Sequence, residues 1–145
     1  MFIENLKETL NLGKKISQKL NPQSIVLLEG PIGAGKTSLV QGIAQGLSIS
    51  EDITSPTFAL SHHYKSGKIP LIHLDLYRLE NISSAKEVFY SEEEEALQSK
   101  AILVIEWPEL IEPYIENFWK IKISYAKNFG RHYEIRDPKN LLTFS

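Results

Sequence analysis

Ser24-Ile25-Val26-Leu27-Leu28-Glu29 runs directly into Gly30-Pro31-Ile32-Gly33-Ala34-Gly35-Lys36-Thr37, so an apolar stretch of strand length is followed at once by the pattern G-x-x-x-x-G-K-[ST]. After it, Leu39, Val40, Ile43, Ala44 and Leu47 recur at helical spacing, with Gly46 placed as a stop. The order strand, glycine-rich loop, helix has a physical logic. Three glycines allow the backbone to curl with its N–H groups pointing inward, a concavity that attracts anions. Lys36 adds a positive charge, Thr37 a hydroxyl, and the helix that starts near Lys36 aims its positive end at the same point. A chance match to the pattern somewhere in a chain of this length is expected on the order of half a percent of the time. Phosphate binding is therefore the first property the sequence implies.

Composition narrows the class. A chain of 145 residues is expected to form a single domain, residues 1–145, large enough to bury about 70% of its unfolded surface without crosslinks. It has no cysteine, which excludes disulfides and thiolate metal sites and fits a reducing cytoplasm. The first residues lack a signal-peptide pattern, and no apolar run approaches the ~20 residues of a membrane span, so a cytoplasmic protein with no membrane partner is expected. A net charge of −2 provides no electrostatic footprint for DNA or unaided RNA binding.

Along the chain, Ile3, Leu6, Leu10, Ile16 and Leu20 describe an amphipathic helix ending before Asn21-Pro22, whose role is to cover the sheet. Residues 48–52 read as loop. Residues 57–64 and 69–76 read as strands joined by Lys65-Ser66-Gly67-Lys68 into an antiparallel hairpin. A helical, acidic pattern covers 83–98, and a second buried strand covers 101–105 before Pro108. Residues 118–125 and 131–136 alternate around Asn128-Phe129-Gly130 as a further hairpin. The expected fold class is α/β: a P-loop NTPase domain with a mixed sheet, parallel in the core with antiparallel hairpins, flanked by helices.

Asp75 closes Leu71-Ile72-His73-Leu74, and Glu106 closes Ile102-Leu103-Val104-Ile105. In an open α/β sheet the ligand lies beyond the carboxyl ends of the parallel strands, so either carboxylate can hold a magnesium ion or orient a nucleophile at the terminal phosphate. Spacing alone does not rank the two.

Taken together, Gly30 to Thr37, Thr54-Ser55-Pro56-Thr57-Phe58, His73-Leu74-Asp75-Leu76-Tyr77-Arg78 and Ile105-Glu106-Trp107-Pro108-Glu109 resemble the TsaE family, also called YjeE. These are bacterial P-loop ATPases needed to make threonylcarbamoyladenosine in tRNA, and the resemblance extends to Gly130-Arg131. It implies ATP and Mg²⁺ as cofactors and the TsaB–TsaD complex as partner, with tRNA reached only through the complex. Because the chain has only three arginines, hydrolysis is expected to be slow alone and faster with that partner. The resemblance also implies a nucleotide site of Gly30, Pro31, Ile32, Gly33, Ala34, Gly35, Lys36, Thr37 and Ser38, joined by Ser55 and Thr57 of a switch-like loop. Metal roles fall to Thr37, Asp75 and Glu106. Catalytic roles fall to Lys36, Asp75 and Glu106, the last positioning or deprotonating the attacking water, with Trp107 beside it on the surface.

The chain departs from the family pattern at Pro31-Ile32, where Asp-Leu is common, and across Lys86 to Glu95, where a Gly-Leu-Glu-Glu-like turn is usual. A small-molecule kinase shares the loop but usually closes an arginine-bearing lid, whereas this chain has only Arg78, Arg131 and Arg136. A GTPase is disfavoured because Asp75-Leu76-Tyr77-Arg78 lacks the Gly of D-x-x-G and no Asn-Lys-x-Asp occurs. A nucleotide-sensing module without turnover shares every binding residue, and only Glu106 speaks against it. His62 and His63, adjacent on a strand, are expected on opposite faces and not as joint metal ligands. Glu92 to Glu95 is expected as a solvated face or a first helical turn, and Trp119 as a core residue.

Overall fold

The computed structural model describes residues 1–56 and 59–144. Its elements in chain order are β1 (Phe2–Ile3), α1 (Leu6–Ser17), β2 (Ile25–Glu29), α2 (Lys36–Gly46), β3 (Ser61–Tyr64), β4 (Leu71–Asp75), α3 (Ile82–Ser99), β5 (Ile102–Glu106), a 3-10 turn (Glu112–Tyr114), β6 (Trp119–Tyr125), β7 (Arg131–Arg136) and β8 (Leu142–Thr143). One eight-stranded sheet has the order β1-β7-β6-β2-β5-β4-β3, with β8 added to β7. Strands β6, β2, β5 and β4 are mutually parallel, while β3 on one side and β7, β1 and β8 on the other pair antiparallel. The fold is the expected α/β type with a mixed sheet flanked by helices.

The central strands are apolar on both faces because both faces are covered. Val26, Leu28 and Val104 join the core under α1 and α2 with Ile16, Leu39, Val40 and Ile43. The alternate residues Leu27, Leu74, Leu103 and Ile105 join Ala85, Phe89 and Ala96 of α3 on the other side. Trp119 lies in the first of these cores at 9% exposure, as its place in the sequence predicts.

The first helix corrects the sequence reading. Ile3 and Leu20 are buried but lie outside it, and Leu6 is 60% exposed, so of the stripe inferred from spacing Ile16 is the member that α1 buries fully. Asn5 caps α1 by accepting the Glu8 N–H, which releases the residues before it into extended backbone. Ile3 then pairs with Arg131 of β7. The buried face, Thr9, Leu12, Gly13, Ile16 and Ser17, lies chiefly on α2, and Leu12 and Ile16 join the core that the sheet shares.

Gly13 and Gly42 make that helix contact possible. A Cβ at Gly42 would stand 2.5 Å from the Leu10 carbonyl oxygen. Since backbone cannot yield as a flexible side chain does, Gly42→Ala is expected to cost about 1–3 kcal/mol, read as a lower urea midpoint with an unchanged slope.

Other boundaries shift for similar tertiary reasons. Gly46 is the last residue of α2, and Leu47 ends the helix. The hairpin through residues 65–68 forms, but its first strand begins at Ser61. Glu92 to Glu95 lie within the body of α3, not at its first turn, which Asn81 caps. Among the described residues no helix is long and apolar enough to cross a membrane.

Candidate functional site

Sheet register brings the two acids together. Asp75 is the direct neighbour of Glu106 across β4 and β5, and Glu106 is the neighbour of Leu28 on β2, two residues before Gly30. The loop that leaves β2 therefore arches over the same sheet end that carries both carboxylates. Between them lies a cavity of about 530 Å³ lined by Ile32, Gly33, Gly35, Lys36, Thr37, Ser38, Ser55, Asp75, Tyr77, Glu106 and Trp107.

The loop is built as its residue types require. Gly33 and Gly35 have φ of 79° and 98°, the left-handed region that only glycine enters without strain. Gly35 is also the N-cap of α2 and provides no side-chain cap, so the first N–H groups of the helix remain available to an anion. The C-terminal hairpin braces the loop from behind. Tyr125 Oη donates to the Ile32 carbonyl at 2.8 Å, and Arg131 donates to the Gly33 carbonyl at 3.4 Å.

Lys36 is 6% exposed and is the one cationic side chain among the described residues that line the cavity. Its Nζ donates to the carbonyls of Gly30 at 2.6 Å and Pro31 at 3.0 Å and stands 4.3 Å from the centre of the Trp107 ring. Burial pushes its pKa below the ordinary lysine value, opposed by the nearby charges of Glu106, Asp75 and Glu109. Trp107 stacks on Tyr77 with ring centres 4.8 Å apart. It holds a left-handed backbone, φ 56°, a conformation that costs a bulky residue about 1–3 kcal/mol and recurs at functional sites.

Asp75 and Glu106 are each 3% exposed. Asp75 Oδ1 accepts the Tyr77 N–H at 2.9 Å. Glu106 Oε2 is hydrogen-bonded to Nε2 of His73, a fully buried histidine in the middle of β4. The sequence places both His73 and Tyr77 in the family-like motif but assigns neither a role. The available signal was His73 standing at the same parity as Asp75 in an otherwise apolar strand.

Of the other residues named from the sequence, Gly30, Pro31 and Ala34 do not line the cavity. Gly30 and Pro31 present carbonyls to Lys36, and Ala34 is buried in the core. Thr57 lies outside the described residues. The strand histidines point apart, His62 to Tyr64 and the Thr54 carbonyl, His63 to Glu92 on α3. No cluster of three or more His, Cys, Asp or Glu suited to a metal occurs among the described residues. The side chains along the cavity that could meet a cation carry oxygen, Thr37, Asp75 and Glu106 among them. This set suits a hard ion such as Mg²⁺ that keeps waters and shares phosphate ligands.

The family model described as threonylcarbamoyl adenosine biosynthesis protein TsaE matches residues 3–133. The chain belongs to the TsaE family. It is 42% identical over 137 residues to the TsaE protein of Nostoc sp. strain PCC 7120, covering 93% of this chain and 83% of that one. To the TsaE protein of Bacillus subtilis strain 168 it is 35% identical over 108 residues, 74% of this chain and 65% of the relative. In three dimensions it is similar to the crystal structure of YdiB from Bacillus subtilis, with a TM-score of 0.74, 28% identity, and coverage of 92% of this chain and 80% of the other. The TsaE match spans the loop, both strand-end acids, and Tyr125 and Arg131, which brace the loop.

Proposed function

We propose that this chain is an ATPase of tRNA threonylcarbamoyladenosine biosynthesis, hydrolysing ATP with Mg²⁺ to drive or reset the TsaB–TsaD threonylcarbamoyl transferase complex. The observation that carries the reading is the convergence of Lys36, Thr37, Asp75 and Glu106 on one cavity at the N-terminus of α2. Phosphoryl transfer asks a protein mainly for position and electrostatic stabilisation, and this arrangement can provide both.

The loop N–H groups and Lys36 would bind the β- and γ-phosphates, with Lys36 exchanging the carbonyls of Gly30 and Pro31 for phosphate oxygens. Thr37 and Asp75 would hold the magnesium ion, which when bound neutralises phosphate charge. Glu106 would orient water in line with the γ-phosphate, and its carboxylate would accept the proton. On the other side of the loop a cavity of about 260 Å³ shares Gly33, Gly35 and Ser38 with the first and is walled in part by Asn5, Thr9, Phe129 and Arg131. Phe129 is 95% exposed and Arg131 stacks on Tyr125, and these flat groups would offer a nucleobase a surface to stack on. Adenine follows from the family. Phosphate release compared between ATP and GTP tests it, with ATP expected to be the better substrate.

No arginine lines the catalytic cavity among the described residues. An arginine supplied in trans is worth ~10³–10⁵ in rate, so hydrolysis is expected to be slow alone and stimulated by the partner complex. Rates unchanged by that complex would contradict the reading. The loop bearing Ser55, with Thr57 assigned to it by family resemblance, would sense the γ-phosphate and couple nucleotide state to partner binding. Pull-down of the complex should then differ between ATP and ADP forms.

A further inference from the structure

We infer that His73 is a positioning residue that holds Glu106 in the orientation hydrolysis requires. This inference rests on the reading of Glu106 as the residue that orients water. His73 lies in the centre of β4 between Ile72 and Leu74, fully buried, and pairs across the sheet with Val104. An imidazole in such surroundings costs desolvation that leucine or valine would not, so its presence calls for a partner. The partner is Glu106, through Nε2 and Oε2. Among the described residues Nδ1 has no hydrogen-bond partner. Among the described residues the one polar contact of the His73 side chain is therefore directed at the carboxylate beside the loop.

The geometry fixes what this contact does. Leu71, His73 and Asp75 share one face of β4, the face that continues into the cavity through Asp75 and its neighbour Glu106. In the proposed role Glu106 is the proton acceptor and hence a carboxylate, which can only accept hydrogen bonds, so in that role Nε2 would be the donor to Oε2. With Oε2 engaged, Oε1 is the oxygen left to meet a water in the cavity. A glutamate side chain has three rotatable bonds, and a donor anchored in the rigid middle of a central strand removes most of that freedom before substrate arrives. This is preorganisation of the water-orienting group by a residue that does not itself touch nucleotide.

The test compares His73→Leu, His73→Gln and His73→Asn, alone and with Glu106→Gln, by single-turnover phosphate release and by nucleotide affinity. His73→Leu is expected to lower the hydrolytic rate about 10- to 100-fold while nucleotide Kd stays within about twofold. His73→Gln, whose amide nitrogen reaches as far as Nε2, is expected to recover most of the rate, whereas the shorter His73→Asn is not. In the Glu106→Gln background His73→Leu is expected to add less than about twofold, because the group it positions is already gone. If His73→Leu does not fold, the contrast between Gln and Asn decides the question. A His73→Leu protein that hydrolyses at the wild-type rate, or equal rates for Gln and Asn, overturns the inference alone. A wild type without turnover, or Glu106→Gln at full rate, overturns the reading of Glu106 and this inference with it.

Discussion

Glu106→Gln is expected to abolish most ATP hydrolysis, by about 10²–10⁴-fold, while leaving nucleotide binding intact or tighter. The amide keeps the shape of the carboxylate and can still meet His73, so stability should change little. It loses the negative charge that, in the proposed mechanism, orients water and takes up its proton. It also removes one of the two acids that line the cavity proposed for the phosphates, Asp75 and Glu106 being adjacent across the sheet. Lower repulsion toward a triphosphate is the reason affinity is expected to hold or rise. Phosphate release and binding measured on the same preparation separate the two effects. A full rate in this variant would leave a nucleotide-sensing module, or a different catalytic acid, as the better description.

Lys36→Ala is expected to weaken nucleotide binding by at least about 10²-fold, and hydrolysis with it. Each hydrogen bond to a charged partner is worth about 1.5–3 kcal/mol, and Lys36 has three donors with which to meet the β- and γ-phosphates. No second cation lines the cavity among the described residues to replace it. The side chain is held near its task, curled onto the Gly30 and Pro31 carbonyls under Trp107, so little order is lost when phosphate replaces them. Burial lowers its pKa, and the phosphate charges would oppose that shift as Asp75 and Glu106 do. Titration with a fluorescent ATP analogue measures the loss. Unchanged affinity would mean that the loop binds by backbone alone.

What could be read before the structure was known followed from how local the signal was. The β2 run, the glycine loop and α2 were legible because each is encoded by contiguous residues with its own periodicity and turn chemistry. Asp75 and Glu106 stood out as polar ends of apolar strands, but only register showed them to be neighbours. His73 escaped because its partner lies 33 residues away on another strand, a contact with no sequence spacing to betray it. The two-residue strands β1 and β8 escaped because tertiary pairing with β7, not propensity, makes them strands. The bracing of the loop by Tyr125 and Arg131 likewise joins residues more than ninety positions apart. Leu6 misled because its spacing fits a helix stripe while its side chain faces water.

The proposed function stands or falls with binding of a magnesium nucleoside triphosphate in the cradle between β2 and α2. Calorimetric titration of the wild-type protein with ATP and Mg²⁺ measures that binding. Saturable heat at one nucleotide per chain is expected, and no heat up to millimolar nucleotide would overturn the proposal.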